Sequence, residues 1–229
     1  MKGLMFKPEM VEAIAQGRKT VTRRLDGLKE INREPEKYEP MPVITGATWM
    51  PALWCFYTED SFNGIDVKPR YHPGEVVYLK EGWRLGWYRY KKDAEVTFKD
   101  DVRIAFPWNE WLEKHTQFGA GKLDGGDQWR SSMFLPEKFA RTFLRIKDVR
   151  PERLQEITEE DAIKEGIQYW QEVDMFRDYS KPYDAAAWSR DPIYSYQTLW
   201  DSINKPPFDW DSNCWVWRYA FEKVEKSNA

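Results

Sequence analysis

Aromatic side chains set the first constraint on what this chain can become. Its 229 residues include 13 Trp, 12 Tyr and 12 Phe, 16% of the whole, beside a charged fraction of 32%. A chain this charged but poor in rings would stay disordered, because it could not bury enough apolar surface to offset chain entropy. Here the rings supply that surface, so a folded core is expected. The length suits one domain, or one domain with large insertions, able to bury about 70% of its unfolded surface.

Several function classes drop out early. No apolar run approaches the ~18 residues of a membrane helix, so no membrane partner is expected. The opening Met1–Pro8 lacks the long apolar core of a signal peptide. Cys55 and Cys214 are far apart and in no C-x-x-C, which reads as two reduced, partly buried thiols. His72 and His115 fall in no H-x-x-x-H or H-x-E pattern, which excludes the usual zinc protease or zinc deaminase. Two histidines and no G-x-S-x-G leave little room for a Ser-His-Asp hydrolase. No metal and no cofactor is expected. Gly119–Leu123 lacks the full spacing of a phosphate loop and reads as a surface turn. A net charge of -3 argues against strong non-specific binding to long DNA but permits a small basic cleft.

Along the chain, residues 3–6 read as a short strand. Pro8 opens a helix whose apolar side is Met10, Val11, Ala13, Ile14 and Ala15, and Gly17 ends it. The basic, hydroxyl-rich stretch 17–24 favours extension. Residues 26–70 are punctuated by prolines and read as an irregular insertion with at most one hairpin, over 45–58. After the Pro73-Gly74 turn, Val76–Leu79 is a strand. Residues 85–130 form a second insertion, with strands within 88–99, a short helix at 108–115 and a polar loop at 122–128. Pro136 opens one helical turn. Residues 142–150 alternate as a half-buried strand. Thr158–Asp161 resembles a capping box for a helix that Gly166 stops. Residues 168–191 read as an aromatic linker. Pro192 begins a helix ending before Pro206, and 214–224 is a strand with Trp215, Trp217, Tyr219 and Phe221 on one face. The mixed order predicts an α+β domain around a largely antiparallel, barrel-like sheet.

Several of these blocks resemble a known family. Phe6-Lys7-Pro8-Glu9-Met10, Gly17-Arg18-Lys19-Thr20-Val21-Thr22-Arg23-Arg24 and Pro73-Gly74-Glu75-Val76-Val77-Tyr78-Leu79-Lys80-Glu81-Gly82-Trp83 resemble the ASCH domain of the PUA-like superfamily. Residues 145–157, 160–167 and 213–217 are similar to the longer form found in phages and prophages. The resemblance covers about half of the chain and implies one ASCH domain over 1–229, with insertions at about 26–70 and 85–130. It implies a small β-barrel with helices at its ends and a cleft facing RNA, single-stranded nucleic acid or a modified nucleoside. It also implies a cytoplasmic setting in a bacterial host. Some members hydrolyse N4-acylated cytidine with a lysine, a threonine and a glutamate, and others are reported to cleave RNA. Carried over, that pattern falls on Lys19, Thr22 and Glu81.

The chemistry of these residues leaves two readings open. A neutral Lys19 could take the proton of Thr22, which would then attack an amide carbon, with Glu81 orienting the lysine. For this the backbone must turn between Lys19 and Thr22, since a strand would point them to opposite faces. Alternatively, Lys19 and Glu81 are a structural ion pair. Arg18, Thr20, Arg23 and Arg24 suit a phosphate cradle or a solvated surface. Trp83 is either a base-stacking platform or core, and Ser132 and Arg141 are further candidates for substrate contact. The functional alternatives are therefore an amidohydrolase or ribonuclease, a non-catalytic reader of RNA or a modified base, and a phage assembly protein.

Overall fold

The computed structural model describes residues 1–43, 53–59, 61–86, 93–107, 129–182 and 187–225. The expected helix at 108–115, the loop at 122–128 and the glycine turn at 119–123 lie outside these, as does part of the expected 45–58 hairpin. In chain order the main elements are β1 (Gly3–Met5), α1 (Pro8–Ala15), β2 (Val21–Arg24), β3 (Glu39–Val43), β4 (Leu53–Thr58), β5 (Ser61–Val67) and β6 (Val76–Lys80). There follow β7 (Trp83–Gly86), β8 (Asp93–Phe98), β9 (Arg103–Pro107), β10 (Phe143–Arg153), α2 (Glu159–Lys164) and β11 (Tyr169–Trp170). Last come β12 (Met175–Arg177), β13 (Trp188–Ser189), α3 (Pro192–Ile203) and β14 (Trp215–Val224). The fold is mixed α+β and mostly sheet. The described strands form one five-stranded and three three-stranded sheets, all open, so the expected closed barrel is not present among them. No described helix is long and apolar enough to cross a membrane.

The chain divides into two compact units, one of residues 1–12, 76–144 and 224–229, the other of 13–75 and 145–223. In the first, β1 runs parallel to β6, with Gly3 opposite Tyr78. The Leu79 N–H donates to the Thr142 carbonyl, just before β10. Here too is the antiparallel sheet β7-β8-β9, in which Trp83 faces Phe98 and Leu85 faces Val96. Those side chains are the core: Trp83, Val96, Phe98, Leu135 and Phe139 pack together, with Leu85, Ile104 and Phe106 against them. Because side chains alternate across a strand, Arg84, Glu95, Thr97, Lys99 and Arg103 share the opposite face.

The second unit holds the strand order β10-β14-β2. Trp217 lies opposite Arg24 and Tyr219 opposite Thr22 in the antiparallel β14–β2 pair. Phe56 meets Trp215 edge-on at 5.5 Å, so the β3-β4-β5 sheet feeds the same core. That sheet corrects the irregular reading of 26–70: Pro40 and Pro42 sit in β3, an edge strand, where a missing N–H costs no ladder bond. The aromatic stretch 168–191 is likewise a small sheet, β11-β12-β13, rather than a linker. Asn32 takes the place of a strand, its amide nitrogen donating to the Trp215 carbonyl and its oxygen accepting from the Trp215 N–H. The Thr158 hydroxyl caps α2 by accepting from the Asp161 N–H at 3.2 Å. Gly166 then ends it with φ +84°, and a side chain there would also collide with the Lys19 stem. Cys55 and Cys214 are both free thiols.

Candidate functional site

The basic segment after α1 folds into a largely buried ion network in the second unit. Gly17 turns the chain with φ +76°, and the Lys19 N–H donates back to the Ala13 carbonyl. Lys19 therefore precedes β2, whereas Thr22 lies within it. The Lys19 ammonium donates to the Glu165 carboxylate at 2.6 Å and to the Glu165 carbonyl at 2.7 Å. Burial pushes the Lys19 pKa below its ordinary value, and Glu165 offsets only part of that. Arg23 donates to Glu152 at 2.7 Å, to Glu165 at 3.1 Å and to Asp161 at 3.1 Å. Arg218 also forks onto Asp161, its Nε sharing the Oδ2 acceptor with Arg23. The Arg218 hydrogen bond, helped by the charges of Arg218 and Arg23, holds the Asp161 carboxyl down to about 2 despite its burial.

Lys19, Arg23 and Arg218 thus meet Glu152, Asp161 and Glu165, and the set continues to the surface through Arg150, 3.4 Å from Glu152, and Asp148, 3.5 Å from Arg218. This corrects the phosphate-cradle reading of Arg23. Its side chain is 1% exposed and its donors are spent on carboxylates, so an anion would have to displace those groups in a sealed place. Arg24 is half-buried, and burial lowers its pKa. Arg18 is at the surface, donating to Gln16 and to the Gly166 carbonyl. Thr20 is tied by its backbone, the N–H to Lys164 and the carbonyl to Phe221.

Glu81 belongs to the first unit and has a different partner. The Arg141 Nε donates to its two oxygens at 3.1 and 3.0 Å. Arg141 also pairs with Asp100 at 2.8 Å and lies 4.3 Å from the centre of the Phe98 ring. Burial alone would raise the Asp100 carboxyl, but the hydrogen bond and charge of Arg141 outweigh it and lower the pKa. Lys19 therefore takes Glu165 as its carboxylate, and Glu81 takes Arg141 as its cation. Lys19, Thr22 and Glu81 are each 4% exposed. Trp83 is core, 1% exposed, with the Arg130 guanidinium 5.1 Å over its ring. A base cannot reach it without opening that core, which corrects the stacking role considered for it. Ser132 is half-buried in the turn that follows Ser131.

An accessible aromatic platform lies nearby in the first unit, at a residue sequence reasoning did not single out. Trp129 is 38% exposed. The Arg84 guanidinium lies 5.0 Å and the Lys99 ammonium 4.5 Å from its ring centre. Reciprocal backbone bonds between Trp83 and Arg130 pin the Trp129–Arg130 segment to the start of β7. Arg84 reaches the platform because it alternates with the buried Trp83, and Lys99 because it opens the β8–β9 turn. The missed signal was this alternation: once Trp83 points inward, Arg84 must point outward. Among the described residues, no group of His, Cys, Asp and Glu could hold a metal ion.

Comparison with known proteins returned nothing: no family, curated protein or solved structure matches this chain.

Proposed function

We propose that this protein binds unpaired nucleic acid without acting on it, stacking a base on Trp129 beside Arg84 and Lys99. The observation that carries this reading is the half-open indole with two cations within 5.0 Å of its centre. A base on an aromatic face gains about 1–3 kcal/mol, and neighbouring cations meet the backbone phosphates. A net charge of -3 fits a small basic site on an otherwise acidic surface better than a long polyanion track. The resemblance to ASCH proteins, which are generally regarded as RNA-binding or nucleotide-handling, points the same way. The test is binding of a short single-stranded RNA followed by tryptophan fluorescence or filter retention. Trp129→Ala should weaken it by about 1–3 kcal/mol. Equal binding by the variant, or none by the wild type, rejects the reading.

A second reading, amide hydrolysis at N4-acylated cytidine, has one observation in its favour. Burial lowers the Lys19 pKa, although the ammonium is paired with Glu165, and Thr22 follows it three residues on. It requires the ion network to open to substrate. Incubation with N4-acetylcytidine should then release cytidine from the wild type and not from Lys19→Ala. No turnover by the wild type removes this version.

A further inference from the structure

The β8–β9 turn, Lys99-Asp100-Asp101-Val102, is held more firmly than an exposed hairpin tip needs. The Phe98 N–H donates to the Val102 carbonyl at 2.9 Å, and Asp101 adopts the left-handed conformation at φ 61°. The Val102 N–H donates to the Asp100 carboxylate at 3.3 Å. The other Asp100 oxygen is paired with Arg141, which is itself held by the buried Glu81. The Lys99 stem has a second constraint. A β-carbon added at Gly82 would lie 3.2 Å from its Cγ and 3.3 Å from its Cε. Gly82 does not have positive φ, so its contribution is room for the Lys99 stem, whose ammonium lies over Trp129.

We infer that Lys99 is a placeholder on the Trp129 ring, exchanging the ring for a phosphate when a base arrives. The site's ligand is then a phosphate-bearing base within single-stranded nucleic acid rather than a bare nucleoside. This rests on the nucleic-acid reading above. An exposed cation holds an indole face more weakly than a stacked base does, so the base wins the ring face. The displaced ammonium stays on a stem whose base is fixed. It is left at the edge of the stacked base, where the adjoining phosphate lies. Asp100, Arg141 and Glu81 are positioning residues in this scheme. They touch no ligand and set the point from which Lys99 swings.

The experiment measures the affinity of the full chain for a single-stranded oligonucleotide, a nucleoside monophosphate and the matching nucleoside, across a range of salt concentrations. The wild type should prefer both phosphate-bearing ligands to the nucleoside. Lys99→Ala should abolish that preference and flatten the slope of log affinity against log salt by about 0.7, one single-strand phosphate contact. Asp100→Asn, which cuts the tie to Arg141 while keeping the shape, should flatten the slope in the same direction. It should add nothing when combined with Lys99→Ala, because both act through one ammonium. Gly82→Ala, which crowds the stem without altering charge, should also reduce the preference for phosphate, by less. Binding that depends on Trp129 while Lys99→Ala leaves the slope unchanged overturns this inference and leaves the nucleic-acid reading standing. Full additivity of Asp100→Asn and Lys99→Ala overturns the positioning scheme. Absence of any wild-type binding overturns the inference together with the reading beneath it.

Discussion

The two charged regions of this protein use the same residue types to opposite ends. In the second unit Lys19, Arg23 and Arg218 face Glu152, Asp161 and Glu165, with the Lys19 and Arg23 side chains at 3% and 1% exposure. In the first unit Lys99 and Arg84 lie beside a ring that is 38% exposed, and Asp100 sits half in solvent. Burial separates them. A charge out of water needs a matched partner and full hydrogen bonding, so the buried set has its donors directed at its own carboxylates. A charge in water gains little from any one contact and is readily exchanged, as a binding surface requires.

Truncations can break this comparison. The largest expected effect is Arg23→Ala, which removes the buried cation shared by Glu152, Asp161 and Glu165. It should cost about 3–5 kcal/mol of unfolding free energy in a denaturant titration. A loss below about 1 kcal/mol, the range of exposed pairs, would show that the network is open to water. Acid supplies a subtler probe. The Asp161 carboxyl is held at about 2 against an ordinary 3.8. Its folded pKa is the lower one, so its contribution is complete above the unfolded value and is lost as pH falls from 3.8 toward 2. Denaturation midpoints should fall through that window in the wild type and less steeply in Asp161→Asn. Parallel curves would assign acid sensitivity to other carboxylates. The smallest effect is Lys99→Ala, which should change stability by less than about 1 kcal/mol. A loss as large as that of Arg23→Ala would make Lys99 a structural residue and erase the contrast.

Local signals in the sequence were legible where one turn or one strand decides the outcome. Pro8 opens α1, Gly17 and Gly166 take the positive φ that ends helices, and Thr158 caps α2. Asp161, read as the closing residue of a capping box, has its carboxylate committed to Arg23 and Arg218 instead. The alternation over 142–150 is β10, and the aromatic face of β14 is buried as its spacing predicts. Reading failed where a short element depends on a neighbour. Proline-rich β3 becomes a strand because β4 lends it an edge, and β11 and β13 are two-residue strands held by β12.

Pairing among charges was the least legible part. Any of the four cations in the 17–24 segment could pair with Glu75 or Glu81 flanking the strand after Pro73-Gly74, so Lys19 with Glu81 was a reasonable expectation. The partner it found, Glu165, is 146 residues away, and Arg141 closes on Glu81 over 60. By itself the amino-acid order determined the α+β character, the helix ends, the alternating strands and an aromatic core, because those follow from backbone geometry and side-chain period. Only the tertiary structure decided which ions meet, which tryptophan is sealed and which is left open. Those outcomes depend on distances between remote segments, which no local pattern contains.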